Sequence, residues 1–153
     1  MGPCRCRGEA AGPGFSPDES RLGEYVRRSG GSDAILAANN PDIRRFRDNG
    51  GKLLSYMGWN DPLGGIRETI DYYSTVERLI GNRRATQDFY RLFMVPGMNH
   101  CSGGDGAFQV DWLAALDHWV EDRKAPDTIT GFHPDANGRP AFHRTVTPLR
   151  ADY

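Results

Sequence analysis

The sequence predicts an α/β fold built around a parallel β-α-β unit. Two short apolar runs, at 52–57 and 89–95, each end at a loop punctuated by glycine, as buried strands do. A helical pattern separates the two runs and another follows the second, so strands and helices alternate. Two strands alone make a poor sheet because their outer edges stay unpaired. We therefore expect the unit to be the end of a larger, doubly wound and mostly parallel sheet.

The elements before this unit are predicted to be short helices that lead into it over residues 16–50. Residues 1–15 lack apolar periodicity and are expected to be disordered or foreign to the fold. The stretch Ser16–Glu19 has the form of a capping box, which predicts a first short helix. A second is expected to begin at Asn40-Pro41 and to end at Asn49-Gly50.

The α/β portion itself is assigned to residues 51–133. A helix is expected from Ile66, with apolar residues three and four positions apart, between the two strands. Asp105 is the predicted N-cap of a last helix with a wide apolar stripe. The stripe consists of Phe108, Trp112, Leu116, Trp119 and Val120. Thr128–Phe132 is a possible short extended segment, and the tail 134–153, rich in Pro, Gly and Arg, is predicted to be irregular.

Length and composition exclude several classes of function. The chain has 153 residues and a net charge of −1, which suits one domain without a strongly charged partner. The arginines near the N-terminus are interrupted by Glu and Gly and lack stacking aromatics, so no nucleic-acid partner is indicated. No apolar run approaches the ~20 residues of a membrane span, and no signal peptide is visible. No membrane partner is therefore expected.

Two polar residues follow the two predicted strands and are the candidate catalytic pair. Asp61 lies in the loop after the first strand, and His100 lies in the Gly-rich loop after the second. An acid and then a histidine, each after its own strand, is the back half of a Ser…Asp…His order. Taken singly, Asp61 could be a turn residue and His100 a loop residue bonded to the backbone. Their shared placement favours the catalytic interpretation.

The residues around this pair leave other chemistries open. Cys101 could be a nucleophile, a metal ligand or half of a disulfide, and we favour a disulfide to a cysteine outside this chain. His118 is expected to be structural, and His133 and His143 show no metal-ligand spacing. No Gly-x-Ser-x-Gly elbow occurs, and no Gly-Lys-Ser/Thr follows the glycines, so neither a nucleophilic serine nor a phosphate-binding loop is indicated.

Several motifs, in order, resemble the C-terminal part of the tannase and feruloyl esterase family. They are Gly50–Leu54, Gly58-Trp59-Asn60-Asp61-Pro62, Asp71-Tyr72-Tyr73, the run Asp88–Cys101, and Lys124-Ala125-Pro126-Asp127. The resemblance covers roughly residues 39–132. It implies a serine hydrolase with an α/β-hydrolase fold and a large inserted lid, secreted or periplasmic, that cleaves esters of aromatic acids.

The resemblance also assigns roles to particular residues. Asp61 matches the acid of the catalytic triad and His100 matches its base. Cys101 matches a cysteine that forms a disulfide with a cysteine beside the nucleophilic serine. The serine, the oxyanion hole and the lid with its calcium site have no match here, so no cofactor is expected in this chain. The family's C-terminal cysteine is also absent from Thr147–Arg150.

We therefore expect the chain to be the C-terminal fragment of an aromatic-ester hydrolase, inactive alone because the nucleophile and oxyanion hole are missing. Two alternatives remain at this point. One is a stand-alone interaction module that pairs its exposed sheet edge with another chain. The other is a small metal-binding protein that uses Cys4, Cys6, His100 and Cys101.

Overall fold

The structure, a computed structural model, describes residues 21–24, 26–27 and 36–150. It divides into two compact units, Met1–Ala38 and Asn39–Tyr153. In the first unit, residues 22–24 and 26–27 are helical, as expected for the first short helix. The prediction for residues 1–15 lies outside the described residues.

The described part of the second unit consists of four helices and four strands. In chain order they are α1 (Arg44–Asp48), β1 (Leu53–Gly58), α2 (Ile66–Ile80), α3 (Arg83–Gln87), β2 (Tyr90–Val95), α4 (Trp112–Glu121), β3 (Ile129–Pro134) and β4 (Pro140–Val146). The short helix α3 was not predicted from the sequence. Within the described ranges, no helix combines the length and the apolar character that crossing a membrane requires.

The predicted parallel β-α-β unit is confirmed. Strands β1 and β2 run parallel in a register from Leu53 opposite Tyr90 to Gly58 opposite Val95. The connecting helix α2 ends where predicted, at Gly81, whose φ of 98° is a left-handed conformation that glycine adopts without steric cost. The sheet of β1 and β2 contains two strands, so the wider doubly wound sheet is not seen among the described residues.

Strand β2 is buried along its whole length because helices and loops cover both of its faces. On one face Leu92 and Met94 pack with Tyr73 and Val76 of α2. On the other face Phe93 packs with residues of α4 and of the β3–β4 pair. Full burial of each large apolar side chain contributes about 1.5–3 kcal/mol. This packing gives the loop that follows β2 a rigid base.

The prediction that residues 134–153 are irregular is wrong, and so is the boundary at 133. Strands β3 and β4 form an antiparallel hairpin, with Ile129 opposite Val146. The Asp135 carboxylate accepts hydrogen bonds from the backbone N–H groups of Asn137 and Arg139, at 2.8 and 2.9 Å. Asp135, Asn137 and Gly138 thus form a hairpin turn within the segment that was predicted to be irregular because it is rich in Pro, Gly and Arg.

The predicted start of the last helix is also wrong. Helix α4 begins at Trp112, and its N-cap is Asp111, whose carboxylate accepts from the Ala114 N–H at 2.9 Å. Asp105 instead lies in a loop whose next residue, Gly106, bonds back to Gly97. The residues between Asp105 and Asp111 are held outside the helix because Gln109 forms a β-bridge with β3.

Candidate active site

The structure brings together the acid and the histidine that the sequence singled out. Asp61 follows the carboxyl end of β1 and His100 follows that of the parallel neighbour β2. The Nδ1 atom of His100 lies 2.8 Å from the Oδ2 atom of Asp61. Carboxyl ends of adjacent parallel strands meet at one edge of a sheet, which is why residues 39 positions apart come into contact.

Asp61 is held as a buried carboxylate. Its side chain has no exposed surface, and its Oδ1 atom accepts a hydrogen bond from the Leu63 N–H at 2.9 Å. The hydrogen bond from His100 is the main reason that the pKa of Asp61 lies below its usual value, and the Leu63 bond adds to it against the opposing effect of desolvation. Asp61 is therefore ionised at neutral pH.

His100 is held on one side and open on the other. Because the ionised Asp61 can only accept, the Nδ1 atom of His100 carries the hydrogen of their bond. The lone pair then lies on Nε2, which can take up a proton. The His100 side chain is 53% exposed, so a second group can approach the imidazole ring.

The two loops touch at Gly58, the last residue of β1. The Asn60 N–H donates to the Met98 carbonyl at 3.1 Å, and the Trp59 N–H donates to Val95 at 3.0 Å. A Cβ atom at Gly58 would lie 2.1 Å from the Met98 carbonyl oxygen, so only glycine permits this approach. The sequence shows Gly58 as the end of an apolar run, but no local signal identifies Met98 as its partner.

The loop that carries His100 doubles back on itself. The Gly106 N–H donates to the Gly97 carbonyl at 2.9 Å, which closes the neck of the loop. Nearer the tip, the Asn99 N–H donates to the Gly103 carbonyl at 3.0 Å. A side chain at Gly104 would collide with the Gly97 carbonyl oxygen, 2.2 Å from its Cβ position. The glycines that the sequence displays here are what lets the backbone fold so tightly.

Cys101 lies at the centre of a γ-turn beside the histidine. Its φ is 61°, and the Ser102 N–H donates to the His100 carbonyl at 2.7 Å. This turn is rare and strained for a residue with a side chain. The thiol is free and Cys101 is exposed. In the part of the chain that the structure describes, no hydrogen bond joins the thiol to Asp61 or His100, whose own bonds are to each other and to Leu63.

The other candidate residues do not join this site. The His118 ring pairs with Asp122 at 3.0 Å on the exposed face of α4. His133 and His143 lie in the β3–β4 hairpin rather than in irregular chain. Over the described ranges, no cluster of three or more His, Cys, Asp or Glu side chains could hold a metal ion. Cys4 and Cys6, two ligands of the metal-binding alternative, lie outside those ranges.

Solved esterases share this arrangement of strands and helices. An esterase from Aspergillus oryzae matches 88% of this chain and 29% of its own, with a TM-score of 0.75 and 28% identity. Feruloyl esterase B from the same species matches 82% of this chain and 28% of its own, with a TM-score of 0.74 and 24% identity. The class of fold is thus that of α/β-hydrolase-like esterases.

The sequence places the chain within that class. Residues 27–147 match the family described as tannase and feruloyl esterase, and this chain belongs to that family. It is 43% identical over 113 residues to the mono(2-hydroxyethyl) terephthalate hydrolase of Piscinibacter sakaiensis, covering 74% of this chain and 18% of the relative. It is 39% identical over 108 residues to a probable feruloyl esterase of Arthroderma benhamiae, covering 69% and 20%. The chain thus spans about a fifth of the length of the curated relatives it matches.

Proposed function

We propose that this chain carries the base and the acid of a serine ester hydrolase that cleaves esters of aromatic acids. The observation that carries the proposal is the hydrogen bond between Asp61 and His100, at 2.8 Å, at the ends of neighbouring parallel strands. Membership of a family of ester hydrolases supports the reaction class. The buried acid and the accessible histidine suit the two roles.

In the proposed reaction, Nε2 of His100 takes the proton of a serine hydroxyl as its oxygen attacks the ester carbonyl. The tetrahedral intermediate collapses, and the same nitrogen gives the proton to the leaving alcohol. In the second half, the oxygen of a water molecule attacks the acyl carbonyl while Nε2 accepts its proton. The bond between the acyl carbon and the serine oxygen then breaks, Nε2 returns the proton to the serine oxygen, and the aromatic acid leaves. Asp61 fixes the imidazole tautomer and stabilises the imidazolium in both halves.

The nucleophile and the oxyanion hole are proposed to come from polypeptide outside these 153 residues. No Gly-x-Ser-x-Gly stretch occurs in the sequence, and the relatives are about five times longer than the matched part. Without a nucleophile the Asp61–His100 pair forms no acyl-enzyme. The chain alone is therefore expected to be inactive.

The outer edge of β1 is the proposed contact with that polypeptide. Strand β2 is covered on the edge away from β1, where the Leu149 N–H donates to the Leu92 carbonyl at 2.7 Å. Among the described residues, β1 pairs with β2 alone. Tyr56 of β1 is 38% exposed and stacks on Trp112 with ring centroids 4.4 Å apart. A strand added to β1 would extend the sheet towards the predicted doubly wound form and cover this pair.

The free thiol fits the same arrangement. We propose that Cys101 forms a disulfide with a cysteine of the nucleophile-bearing part, because it is exposed beside His100 and strained in its turn. Such a bridge would hold the histidine near the serine. Disulfides persist in oxidising compartments, so a secreted or periplasmic location follows from this proposal.

The proposed substrates are esters that join an aromatic acid to an alcohol. The matched relatives are called feruloyl esterases and a terephthalate monoester hydrolase, and ferulate and terephthalate share an aromatic ring and an acyl group. Residues that distinguish one acid from another are proposed to lie in the nucleophile-bearing part.

A chimera tests the proposal. Residues 39–147 of this chain would replace the matching segment of the terephthalate monoester hydrolase, with mono(2-hydroxyethyl) terephthalate, methyl ferulate and methyl gallate as substrates. The chimera should be active, and His100→Ala or Asp61→Ala should abolish turnover. His118→Ala, on the exposed face of α4, is the matched control and should retain it. Activity that survives His100→Ala would overturn the assignment.

The 153-residue chain should be assayed beside the chimera. It should hydrolyse none of the three esters. Turnover by the unaided chain, retained through purification and abolished by His100→Ala, would mean that a nucleophile lies within these residues, and the need for an external serine would be refuted.

A further inference from the structure

We propose that His133, on β3, is a positioning residue that holds the His100 loop in place through the carbonyl group of Gly106. Its effect on catalysis rests on the function proposed above. Its effect on the loop does not, and can be measured separately. The proposal gives a role to the β3–β4 hairpin, which supplies none of the catalytic groups proposed for this chain.

The contact between His133 and the loop is a specific hydrogen bond. The Nδ1 atom of His133 lies 2.8 Å from the Gly106 carbonyl oxygen. A carbonyl only accepts, so Nδ1 carries the hydrogen and the ring is held in one tautomer. The imidazole lies parallel to the Phe142 ring, with centroids 5.0 Å apart, and meets the Phe108 ring edge-on at 5.5 Å. These two rings fix the plane in which the donor points.

Gly106 links the hydrogen bond from His133 to the bond that closes the neck of the loop. Its carbonyl accepts from His133 while its N–H donates to the Gly97 carbonyl at 2.9 Å. A Cβ atom at Gly106 would lie 2.0 Å from the Pro96 carbonyl oxygen. The two limbs of the loop, the segment that enters it after β2 and the segment that leaves it from Gly106 onwards, are therefore in backbone contact here. His100 projects from the loop that this neck closes. A shift of Gly106 would therefore displace the loop backbone that carries His100 and change the distance between His100 and Asp61.

The hairpin is anchored to the same limb at a second point. Gln109 and Phe132 exchange two backbone hydrogen bonds, at 3.0 and 2.9 Å. A Cβ atom at Gly131 would lie 2.7 Å from the Ala107 carbonyl oxygen, so β3 runs against the backbone of the limb. Strand β2 thus holds the limb that enters the loop, and β3 holds the limb that leaves it. His133 is the side chain that extends this support to Gly106.

The tautomer of His133 can be read in the unmodified chain. Nitrogen-15 NMR of the histidine rings should show His133 with hydrogen on Nδ1 and a long-lived N–H signal. The Nε2–H tautomer at neutral pH would remove the donor and overturn the proposal. This measurement needs no substitution and no catalytic activity.

Two substitutions then separate the donor from the ring. His133→Phe keeps an aromatic ring but removes the donor, whereas His133→Asn places an amide N–H near the position of Nδ1. The readout is the pKa of Asp61, measured from the pH dependence of the NMR chemical shift of its carboxyl carbon. This pKa reports the position of His100 because the hydrogen bond from His100 is the main cause of its lowered value. His133 donates from Nδ1 in its protonated form as well, so the contact persists during the titration.

We expect His133→Phe to raise the pKa of Asp61 towards the ordinary 3.8, and His133→Asn to leave it near the value of the unmodified chain. His143→Phe, an exposed histidine on the same hairpin, is the matched control and should change nothing. A folded His133→Phe protein with an unchanged Asp61 titration would refute the proposal. If His133→Phe fails to fold, a folded His133→Asn protein decides: retention of the lowered pKa supports the proposal, and loss of it refutes it.

The catalytic consequence is tested in the chimera. His133→Phe should lower kcat about tenfold with KM nearly unchanged, since a misplaced base affects the chemical step more than ester binding, and His133→Asn should restore most of it. An inactive parent chimera would count against the function proposed above, while the two NMR measurements would still decide the role of His133.

Discussion

The loop after β1 and the loop after β2 hold their polar side chains in opposite ways. Asp61 has a fully buried side chain with both carboxylate oxygens in hydrogen bonds, one of them to Leu63, two residues away. His100 is 53% exposed and stands on a loop whose neck is closed by glycines. The acid is therefore fixed locally, whereas the histidine depends on contacts that are remote in sequence.

This contrast suits a pair in which one partner orients and the other moves protons. A buried carboxylate with two donors cannot reorient without leaving a donor unsatisfied, which costs about 1–3 kcal/mol. An exposed imidazole can reach a reacting group but needs its loop held still. A substitution in one of the two loops should therefore also affect the side chain that the other loop holds.

The largest effect is expected from Asp61→Asn. If the amide oxygen keeps the bond to the Leu63 N–H, the amide nitrogen faces Nδ1 of His100 and forces the other tautomer. The hydrogen then lies on Nε2, which can no longer accept a proton. In the active chimera kcat should fall roughly 10⁴-fold. Asp42→Asn, an exposed aspartate bonded to Arg44, is the matched control and should leave kcat unchanged. A loss of less than tenfold in Asp61→Asn would contradict the orienting role.

Gly58→Ala is expected to separate the two loops. Its Cβ atom would lie 2.1 Å from the Met98 carbonyl oxygen, and backbone on both sides must shift to make room. The free energy of unfolding, measured by urea denaturation, should fall by roughly 3 kcal/mol. Gly138→Ala tests the same side chain in open space at a φ of 78° and should cost only about 1 kcal/mol. Equal losses in the two variants would show that the loops tolerate separation.

The pH dependence of the free energy of unfolding measures how much the hydrogen bond between Asp61 and His100 stabilises the ionised form of Asp61. Because the pKa of Asp61 is lower in the folded chain than the ordinary 3.8, its ionised form favours folding. This contribution is complete above about pH 4 and is lost as the pH falls through the lowered value. His100→Ala removes the main cause of the lowered pKa, so the acid limb of its stability curve should be shallower than that of the unmodified chain.

Urea unfolding at a series of pH values between about 2 and 6 measures this limb. Asp42, whose pKa is lowered to about 2 by Arg44, adds the same acid dependence to both proteins and cancels in the comparison. His143→Ala should follow the unmodified chain. Parallel curves for the unmodified chain and His100→Ala would mean that the Asp61–His100 bond contributes nothing to folding.

The smallest effect is expected at Cys101. Glycine adopts a φ near 61° without the steric penalty that a side chain incurs, so Cys101→Gly should stabilise the isolated chain by about 1 kcal/mol. A thiol reagent should label Cys101 in the native chain, as befits an exposed free cysteine. Destabilisation by Cys101→Gly would show that the thiol makes contacts that outweigh the strain of the turn.

The elements that local pattern could predict are those defined by their own residues. The two parallel strands, helix α2 and the placement of Asp61 and His100 followed from apolar runs that end at glycines. The β3–β4 hairpin was missed because Asp135 and Gly138 read equally well as tail or as turn until β4 is seen to pair with β3. His133 was dismissed because its partner, Gly106, lies 27 residues away on another element.

The start of α4 is a second feature that depends on a contact remote in sequence and that local pattern therefore could not predict. Asp105 and Asp111 are both acceptable N-caps, and helix propensity does not distinguish them. The choice is made by Gln109, whose two backbone bonds to Phe132 hold this part of the chain against β3 and outside the helix. Sheet contacts thus decide a helix boundary.

The stacked pair of Tyr56 and Trp112 gives the chain an optical signal of its own. Their rings lie 4.4 Å apart and only 7° from parallel, an arrangement in which the two chromophores couple and contribute to near-ultraviolet circular dichroism. Tyr56 belongs to β1, whose unpaired edge is the proposed docking edge, and Trp112 stacks on Tyr56. Docking of a further strand there would exclude water from the indole and shift its fluorescence to shorter wavelength. Assembly of the complete sheet could therefore be followed in real time without attaching a dye.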